Sequence, residues 1–508
     1  MAGEIHDLSK KKPPREIVAD VCIVGSGCGG ATAAWVLAKA GRDVVVLEEG
    51  GDFTGPELTG RDGAMYDQLY MDRGARVTAD LSVNVLQARV LGGGGVINAS
   101  DVVPLSDAVL RHWQKRFDLS AFSPEALAPY KKRALEDLSA SRIAEDHVNR
   151  ANALLRQGTK ALNLRGEVML NNRVGCIGTG TCLIGCPINA KKNPRFVAIP
   201  GALDAGARFF TRARARRILS GEQEMKRIEV NTLDERGYRV VGHTQVRARI
   251  VILAANAVAS AELLLRSGLG NQHVGRNLML QPQLPVTAIF KEPITAFRGI
   301  PQSYAVTEFE VDDHPEHGLW GYRIEGIMGT PGMVASLLPF SGIEGKRAMQ
   351  LYDRIAASLL LVIDRPSGNV RLSDGRLVVD YWQKEDHKAR LRDAIKQCAR
   401  IYFAAGAQRI IVPTTPPLVF DSEADLTRVD SVRFDVASAP LLSAHQQGTI
   451  RMAPSSRLGG ADPTGRVYGT KDIYVFDSSG FPSSSSSHTM TPILTVSRFL
   501  ADRLAAEA

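Results

Sequence analysis

The order of apolar and polar positions near the start of the chain predicts alternating strands and helices. "VADVCIVGSGCGG" is a short apolar run stopped by glycines, which predicts a buried strand entering a tight turn. "ATAAWVLAKAG" then continues as a helix, and "DVVVLEEGG" returns as a second strand. Strand, helix and strand in this order form the βαβ opening of a doubly wound α/β sheet, a Rossmann-like start. Residues 56–200 mix glycine-rich loops with helical stretches such as "DAVLRHWQKRF", a region suited to covering a bound group. From 205 to 255 the period is that of strands again, closing on "ARIVILAANA" and a helix "VASAELLLRSG". Between 285 and 430, strand-like pieces such as "LPVTAIF", "LWGYRIEGIM" and "RLVVDYW" precede the long helix "KARLRDAIKQCARIYFAAG". That succession predicts an α+β unit, an antiparallel sheet with helices on one face. The tail offers a strand "DIYVFD", a serine run, and an amphipathic helix over 489–506.

The expected organisation is therefore a first domain over 17–284, with its cover at about 56–200, a second over 285–430, and a return to the first over 431–508. No internal repeat is present. At 508 residues with 44% hydrophobic content the chain can bury large cores without disulfides. The opening "MAGEIHDLSKKKPPREIV" lacks an apolar stretch of signal-peptide length, and no run of about 18 uncharged apolar residues occurs, so we expect a cytoplasmic protein without a membrane span. The net charge of +8 raises the question of an anionic partner, yet Arg212, Arg214 and Arg216 alternate with alanines, which reads as one solvated strand face. No recognition motif accompanies the charge, so nucleic acid is not expected.

Gly25, Gly27 and Gly30 form G-x-G-x-x-G between the first strand and helix, where bare backbone lets a pyrophosphate approach a helix N-terminus. Glu48 closes the next strand, placed to accept hydrogen bonds from ribose hydroxyls; a carboxylate there disfavours a 2′-phosphate and leaves FAD or NAD. A second run, "LGGGGVINAS", offers Gly92 to Gly95 as backbone for a flat ring or phosphates and Asn98 as a donor. Near the end lie His445, in "SAHQQGTIRM", and His488, after "FPSSSSS".

With these pieces in place the sequence resembles the glucose-methanol-choline (GMC) flavoprotein oxidoreductases over nearly its whole length. The resemblance rests on "GSGCGG" with Glu48, "GGGGVINAS", "VILAANAVASAELLLRSG", "HVGRNLM" and the tail from "HQQGTIRM" through "GRVYGTKDIYVFDSSGFP" to His488. It implies FAD bound by the first domain, with Asp477, Ser478 and Thr489 joining the cofactor contacts, an antiparallel substrate domain, and oxidation of an alcohol to a carbonyl. By position His445 matches the family's catalytic histidine and His488 the place of a second histidine or an asparagine. Asn256 stands where glycine is usual and Gln281 where histidine is common.

A neutral imidazole suits removal of a hydroxyl proton while hydride passes to flavin N5. That role goes to His445, with His488 hydrogen-bonding the substrate oxygen, although the two could exchange. His488 just precedes a helix, whose positive end is expected to disfavour an imidazolium there. "FAAG", "SLLPF", "GMVASLL" and "LLLVI" hint at an apolar substrate wall, hence a hydrophobic or bulky alcohol, with oxygen or another redox partner as final acceptor. The alternatives are a flavoenzyme of natural-product metabolism performing desaturation, dehydration or decarboxylation, and a non-catalytic flavin-binding or electron-transfer subunit. Cys176, Cys182 and Cys186 form C-x5-C-x3-C with a following proline, which admits a 3Fe-4S cluster, a zinc site, or a loop with free thiols. Cys22, Cys28 and Cys398 read as small buried residues.

Overall fold

The computed structural model describes residues 2–10, 13–220 and 225–507, so Lys11 and Lys12 of the basic opening lie outside the described residues. The run around Val21 to Val24 has no exposed face: the strand Glu16–Val24 sits inside a sheet, paired in parallel with Val44–Leu47 on one side and with Val240–Leu253 on the other. Strand residues buried on both faces are the reason this stretch reads as continuous valine and isoleucine instead of alternating. The sheet continues outward through Arg208–Thr211 to Ile5–Asp7 at one edge, and through Lys226–Leu233 to Ala213–Ser220 at the other. Ile473–Val475, from the far end of the sequence, adds in parallel beside Val240–Leu253.

The helix Cys28–Lys39 packs over this sheet and against the last helix, Met490–Glu507. The first helix's seat on the sheet depends on glycine: a Cβ on Gly29 would lie 1.8 Å from Phe476 O, and one on Gly30 would lie 1.9 Å from Gly25 O. Packing the C-terminal helix there brings the chain just before it over the glycine-rich turn.

A second, antiparallel sheet runs in the order Leu418–Phe420, Arg409–Val412, Gln283–Ile289, Ile355–Val362, Gly318–Ile327, Tyr304–Val306 and Gly166–Val168. The long helix Glu385–Ala404 and the helix Arg150–Ala161 cover it. Two of its strands come from earlier in the chain: Gly166–Val168 at an edge, and Val83–Val85 paired with Leu441–Ser443, which in turn touches Gln283–Ile289. One hydrophobic core joins side chains of both sheets. The arginine stretch departs from expectation, since Arg212 is 4% exposed and turned by a positive φ of 58°, with its guanidinium beside Gly51. Arg214 pairs with Glu49, and both Arg214 and Arg216 border the cavity described next, so the strand is a cavity wall as well as a surface. The alternation was legible, but not what it faces.

Candidate active site

Between the two sheets lies a cavity of about 760 Å³. One end is walled by Gly25, Gly27, Glu48, Arg214 and Asn231, the other by Gln283, Gln302, His445 and His488. Gly95, Asn98, Asp477, Ser478 and Thr489 line it as well, so the structure gathers these separate sequence motifs around one space. Gly30 and Gly92 are the exceptions among the expected contacts. Gly30 is a packing glycine under the turn, and Gly92 faces Arg195 while its N–H donates to Ser26 Oγ at 3.1 Å.

At the first end, Glu48 accepts hydrogen bonds from the Ser26 hydroxyl (2.6 Å), the Ser26 N–H (3.1 Å) and the Gly50 N–H (2.8 Å). Burial raises its carboxyl pKa against these bonds. The helix at Cys28 starts on Gly27 without a side-chain cap, so its first N–H groups remain available to an anion. Gly27 and Gly93 meet backbone to backbone: a Cβ on Gly93, at φ +60°, would come within 2.6 Å of Gly27 Cα. A bare-backbone cradle beside a carboxylate-tipped strand, opening into a cavity that ends at two histidines, fits a dinucleotide whose redox ring is remote from its adenosine. FAD is such a group.

The glycine loop is held by a residue that the sequence did not single out. Lys191 is 1% exposed, and its ammonium donates to the carbonyls of Val96 (2.7 Å), Asn98 (2.8 Å) and Cys182 (2.8 Å). Burial lowers its pKa to about 8. Asn256 is explained likewise: it adopts φ +78°, a left-handed conformation that asparagine tolerates, and its Oδ1 accepts from the N–H groups of Val258 and Ala259 to start the helix. Asp477 anchors the same region through the Asn256 N–H and the Ser260 hydroxyl.

At the other end the rings of His445 and His488 lie edge to face, 4.9 Å between centroids. Gln281 Oε1 stands 2.6 Å from His445 Nδ1. The Gln281 amide is oriented by its own NH₂ group, which donates to Ser486 O at 2.8 Å, so Oε1 is the acceptor and Nδ1 carries the proton. Gln283 Nε2 also lies 3.1 Å from Nδ1, but a nitrogen that donates to Gln281 cannot accept from Gln283, and the shorter, oriented contact decides. His445 Nε2 is therefore the bare lone pair. Burial first, and the neighbouring His488 second, lower its pKa to about 3, so the ring is neutral at any working pH. Gln281 reaches this position from a backbone at φ +46°, held there by Asp364, which accepts from the N–H groups of Leu280 and Gln281.

His488 is in the opposite state. Its Nε2 lies 2.8 Å from Glu325 Oε2 and 3.0 Å from Asp101 Oδ2, both carboxylates being buried. Burial alone would lower its pKa, but the two negative charges overrule burial and raise it to about 10. The expectation that a helix N-terminus would keep this imidazole neutral is reversed, because two full charges at contact outweigh the partial charge of a helix end. His488 thus carries two N–H donors, with Nδ1–H left without a protein partner among the described residues.

A branch of the cavity near the histidines is apolar, bordered by Ile327, Val334, Leu337, Leu338, Leu359 and Leu361. "GMVASLL", "SLLPF" and "LLLVI" supply all of these side chains but Ile327, whereas "FAAG" does not reach the cavity. The cysteine loop is placed differently from the metal reading. Cys176 Sγ accepts from the Gly178 N–H, Cys186 Sγ accepts from the Ala190 N–H, and Cys182 is buried near Arg173. Among the described residues the one His/Cys/Asp/Glu trio with ligand atoms within 4.8 Å of one another is Asp101, Glu325 and His488. Cys176, Cys182 and Cys186 do not form such a trio in this structure; Cys176 and Cys186 are fastened by hydrogen bonds within the loop, and the 3Fe-4S expectation gains no support. No described helix is long and apolar enough to cross a membrane.

Residues 66–283 and 364–497 match the two family models described as GMC oxidoreductase, and 23–88 match an NAD(P)-binding Rossmann-like domain. An uncharacterized GMC-type oxidoreductase of Mycobacterium tuberculosis is 34% identical, covering 99% of this chain and 78% of that protein. A long-chain-alcohol oxidase of Arabidopsis thaliana is 28% identical over 96% of this chain and 68% of its own length. Among solved structures, Aspergillus oryzae formate oxidase superposes with a TM-score of 0.72 at 16% identity, covering 97% of this chain and 99% of that one. Pyridoxine 4-oxidase from Mesorbium loti gives 0.71 at 18% identity, covering 96% and 99%.

Proposed function

Because the chain belongs to the GMC oxidoreductase family, we propose that it is an FAD enzyme oxidising a hydrophobic alcohol to its aldehyde or ketone. The observation that carries this reading is the pair of histidine rings 4.9 Å apart on the cavity wall, one held through Nδ1 by Gln281 and the other through Nε2 by two buried carboxylates, in a space that the cofactor cradle and the apolar branch share. FAD, when bound, supplies a two-electron acceptor for the hydride leaving the alcohol carbon. His445 Nε2, bare and neutral, takes the hydroxyl proton. His488 Nδ1–H donates to the same oxygen and stabilises the negative charge that builds on it as the proton leaves. The apolar branch, bordered by Val334, Leu359 and Leu361, seats the hydrocarbon and excludes water from the reacting carbon. The relatives named long-chain-alcohol oxidases support the same substrate class.

Anaerobic mixing of the holoenzyme with primary alcohols of increasing chain length should bleach the oxidised flavin band with one carbonyl formed per flavin, faster for longer chains. His445→Ala should keep its flavin but slow bleaching by roughly two to four orders of magnitude. Bleaching by no alcohol at all, or by the variant at the parent rate, would refute the proposal.

A further inference from the structure

His488 is fastened from two directions by residues on separate parts of the fold. Glu325 lies on the strand Gly318–Ile327 of the antiparallel sheet and is fully buried. Its Oε1 accepts from Arg323 Nε at 2.6 Å, and its Oε2 accepts from Gln302 and from His488 Nε2. Asp101 follows the glycine loop, on the short strand Asp101–Val102, and is 4% exposed. Its Oδ2 lies 3.0 Å from the same Nε2 yet makes no hydrogen bond. One N–H points at one acceptor; here it points at Glu325. The Asp101 oxygen is left buried and unpaired, a costly state unless the ring it faces carries a full positive charge.

The surrounding charges agree. His488 is faced by Asp101, Glu325 and the neutral His445; behind Glu325 stands Arg323, and behind Asp101 stand Arg173 and Lys191. Arg323 is itself shared with Glu310 and Glu167, so its charge is already divided among three carboxylates. A neutral His488 would leave two buried carboxylates at contact with too little positive charge between them.

We propose that Asp101 and Glu325 are positioning residues that act through His488: from two separate parts of the fold they lock its ring as an imidazolium, so that it donates and never accepts, and His445 alone takes the substrate proton. This rests on the reading of the cavity as an alcohol-oxidising site. The ring's raised titration is in keeping with it, but the geometry of two buried oxygens on one nitrogen is what carries it. Neither carboxylate touches the reacting atoms. Each matters by fixing which histidine is the acid and which the base, and Glu325 makes that choice depend on the substrate-side sheet being docked.

The test uses holoenzyme labelled with ¹³C at histidine Cε1. In the parent the His488 resonance should stay at its imidazolium position from about pH 5 to 9, and in Asp101→Asn and Glu325→Gln it should titrate inside that window. At pH 8 each variant should reduce its flavin roughly ten- to a hundredfold more slowly with KM for the alcohol little changed, and recover toward the parent rate as pH is lowered to about 6, where the ring regains its proton. A merely structural role would not be rescued by acid. Asp101→Asn is the safer arm, since Oδ2 has no hydrogen bond to lose, whereas Glu325→Gln also weakens the pairing of Arg323, which keeps Glu310 and Glu167. A parent His488 that titrates near 6.5, or variants that leave its titration unmoved, would overturn the proposal. So would a stoichiometric divalent metal in the purified protein whose removal by chelator abolishes reduction, because a metal would then replace the proton between these ligands. The titration needs no turnover, so an enzyme that no alcohol reduces would refute the function while leaving this result standing.

Discussion

Replacing Gln281 by glutamate would put a negative charge where a neutral oxygen now stands 2.6 Å from His445 Nδ1. A carboxylate at contact favours the imidazolium and typically raises a histidine pKa by about 1–3 units, or about 1.4–4 kcal/mol. Starting from about 3, the folded-state value would move to roughly 4–6. The bare Nε2 is needed for proton removal, so the acid limb of the reduction rate should shift upward by the same interval: activity is present above the new pKa and lost below it. The substitution also removes the NH₂ group that donates to Ser486 O, so some loss of rate at the plateau is expected too. Gln281→Leu separates the two effects. It leaves the Nδ1–H buried without an acceptor, a cost of about 1–3 kcal/mol, and frees the ring to place its proton on Nε2. The plateau rate should then fall about ten- to a hundredfold, with no new acid limb, because no charge has been added. Stopped-flow bleaching under anaerobic conditions, followed from pH 4 to 9 for the parent and both variants, reads limb and plateau together. An unchanged limb in the glutamate variant with an unchanged plateau in the leucine variant would mean that Gln281 does not set the tautomer of His445.

Four further outcomes follow from the same geometry. Glu48→Gln should weaken FAD binding by roughly ten- to a hundredfold, the range of hydrogen bonds to a charged acceptor, as read by fluorescence titration of the apoprotein. Gly93→Ala should prevent flavin incorporation, since its Cβ would meet Gly27 Cα at 2.6 Å and φ is +60°; a yellow, stoichiometrically loaded variant would exclude the cradle between these loops. Unfolding measured against pH should show an optimum near neutrality. His488, raised in the fold to about 10, contributes stability that is complete below its unfolded value of about 6.5 and is lost as pH rises through 10. His445, lowered to about 3, costs stability as pH falls from about 6.5 toward 3, because the unfolded chain then binds a proton that the fold refuses. Leu361→Asp should cut kcat/KM for long alcohols by at least about tenfold while leaving FAD content intact, and an equal effect on short alcohols would move the hydrocarbon seat elsewhere.

What the sequence showed and what it hid divide along one physical line. The βαβ opening, the antiparallel sheet and the C-terminal helix are written in local periodicity, and the glycines of the two loops mark places where backbone must approach backbone; such signals survive in a single strand of text. His445 and His488 stood out as two histidines in one polar, glycine-rich tail and through the family resemblance, and the structure places both on the cavity wall. The charge on His488 was not recoverable, and the helix-end argument gave the wrong sign, since it weighed the one neighbour that sequence adjacency supplies. Glu325 lies 163 positions away, in a strand whose one other charged residue is its partner Arg323, and Asp101 looks like an ordinary loop aspartate. Gln281 was noticed as a departure from the family pattern, but its task of presenting Oε1 to His445 depends on Ser486, whose carbonyl comes from the serine run. The three thiols show the limit of spacing: it admits convergence on one centre, whereas in the fold Cys176 and Cys186 Sγ each accept from a neighbouring N–H and Cys182 Sγ lies by Arg173. Spacing along the chain predicts chemistry where one element carries the whole site. Here the protonation of one ring is decided by Asp101, just after the glycine loop, and Glu325, in the antiparallel sheet, and only their meeting at His488 makes the site's acid and base distinct.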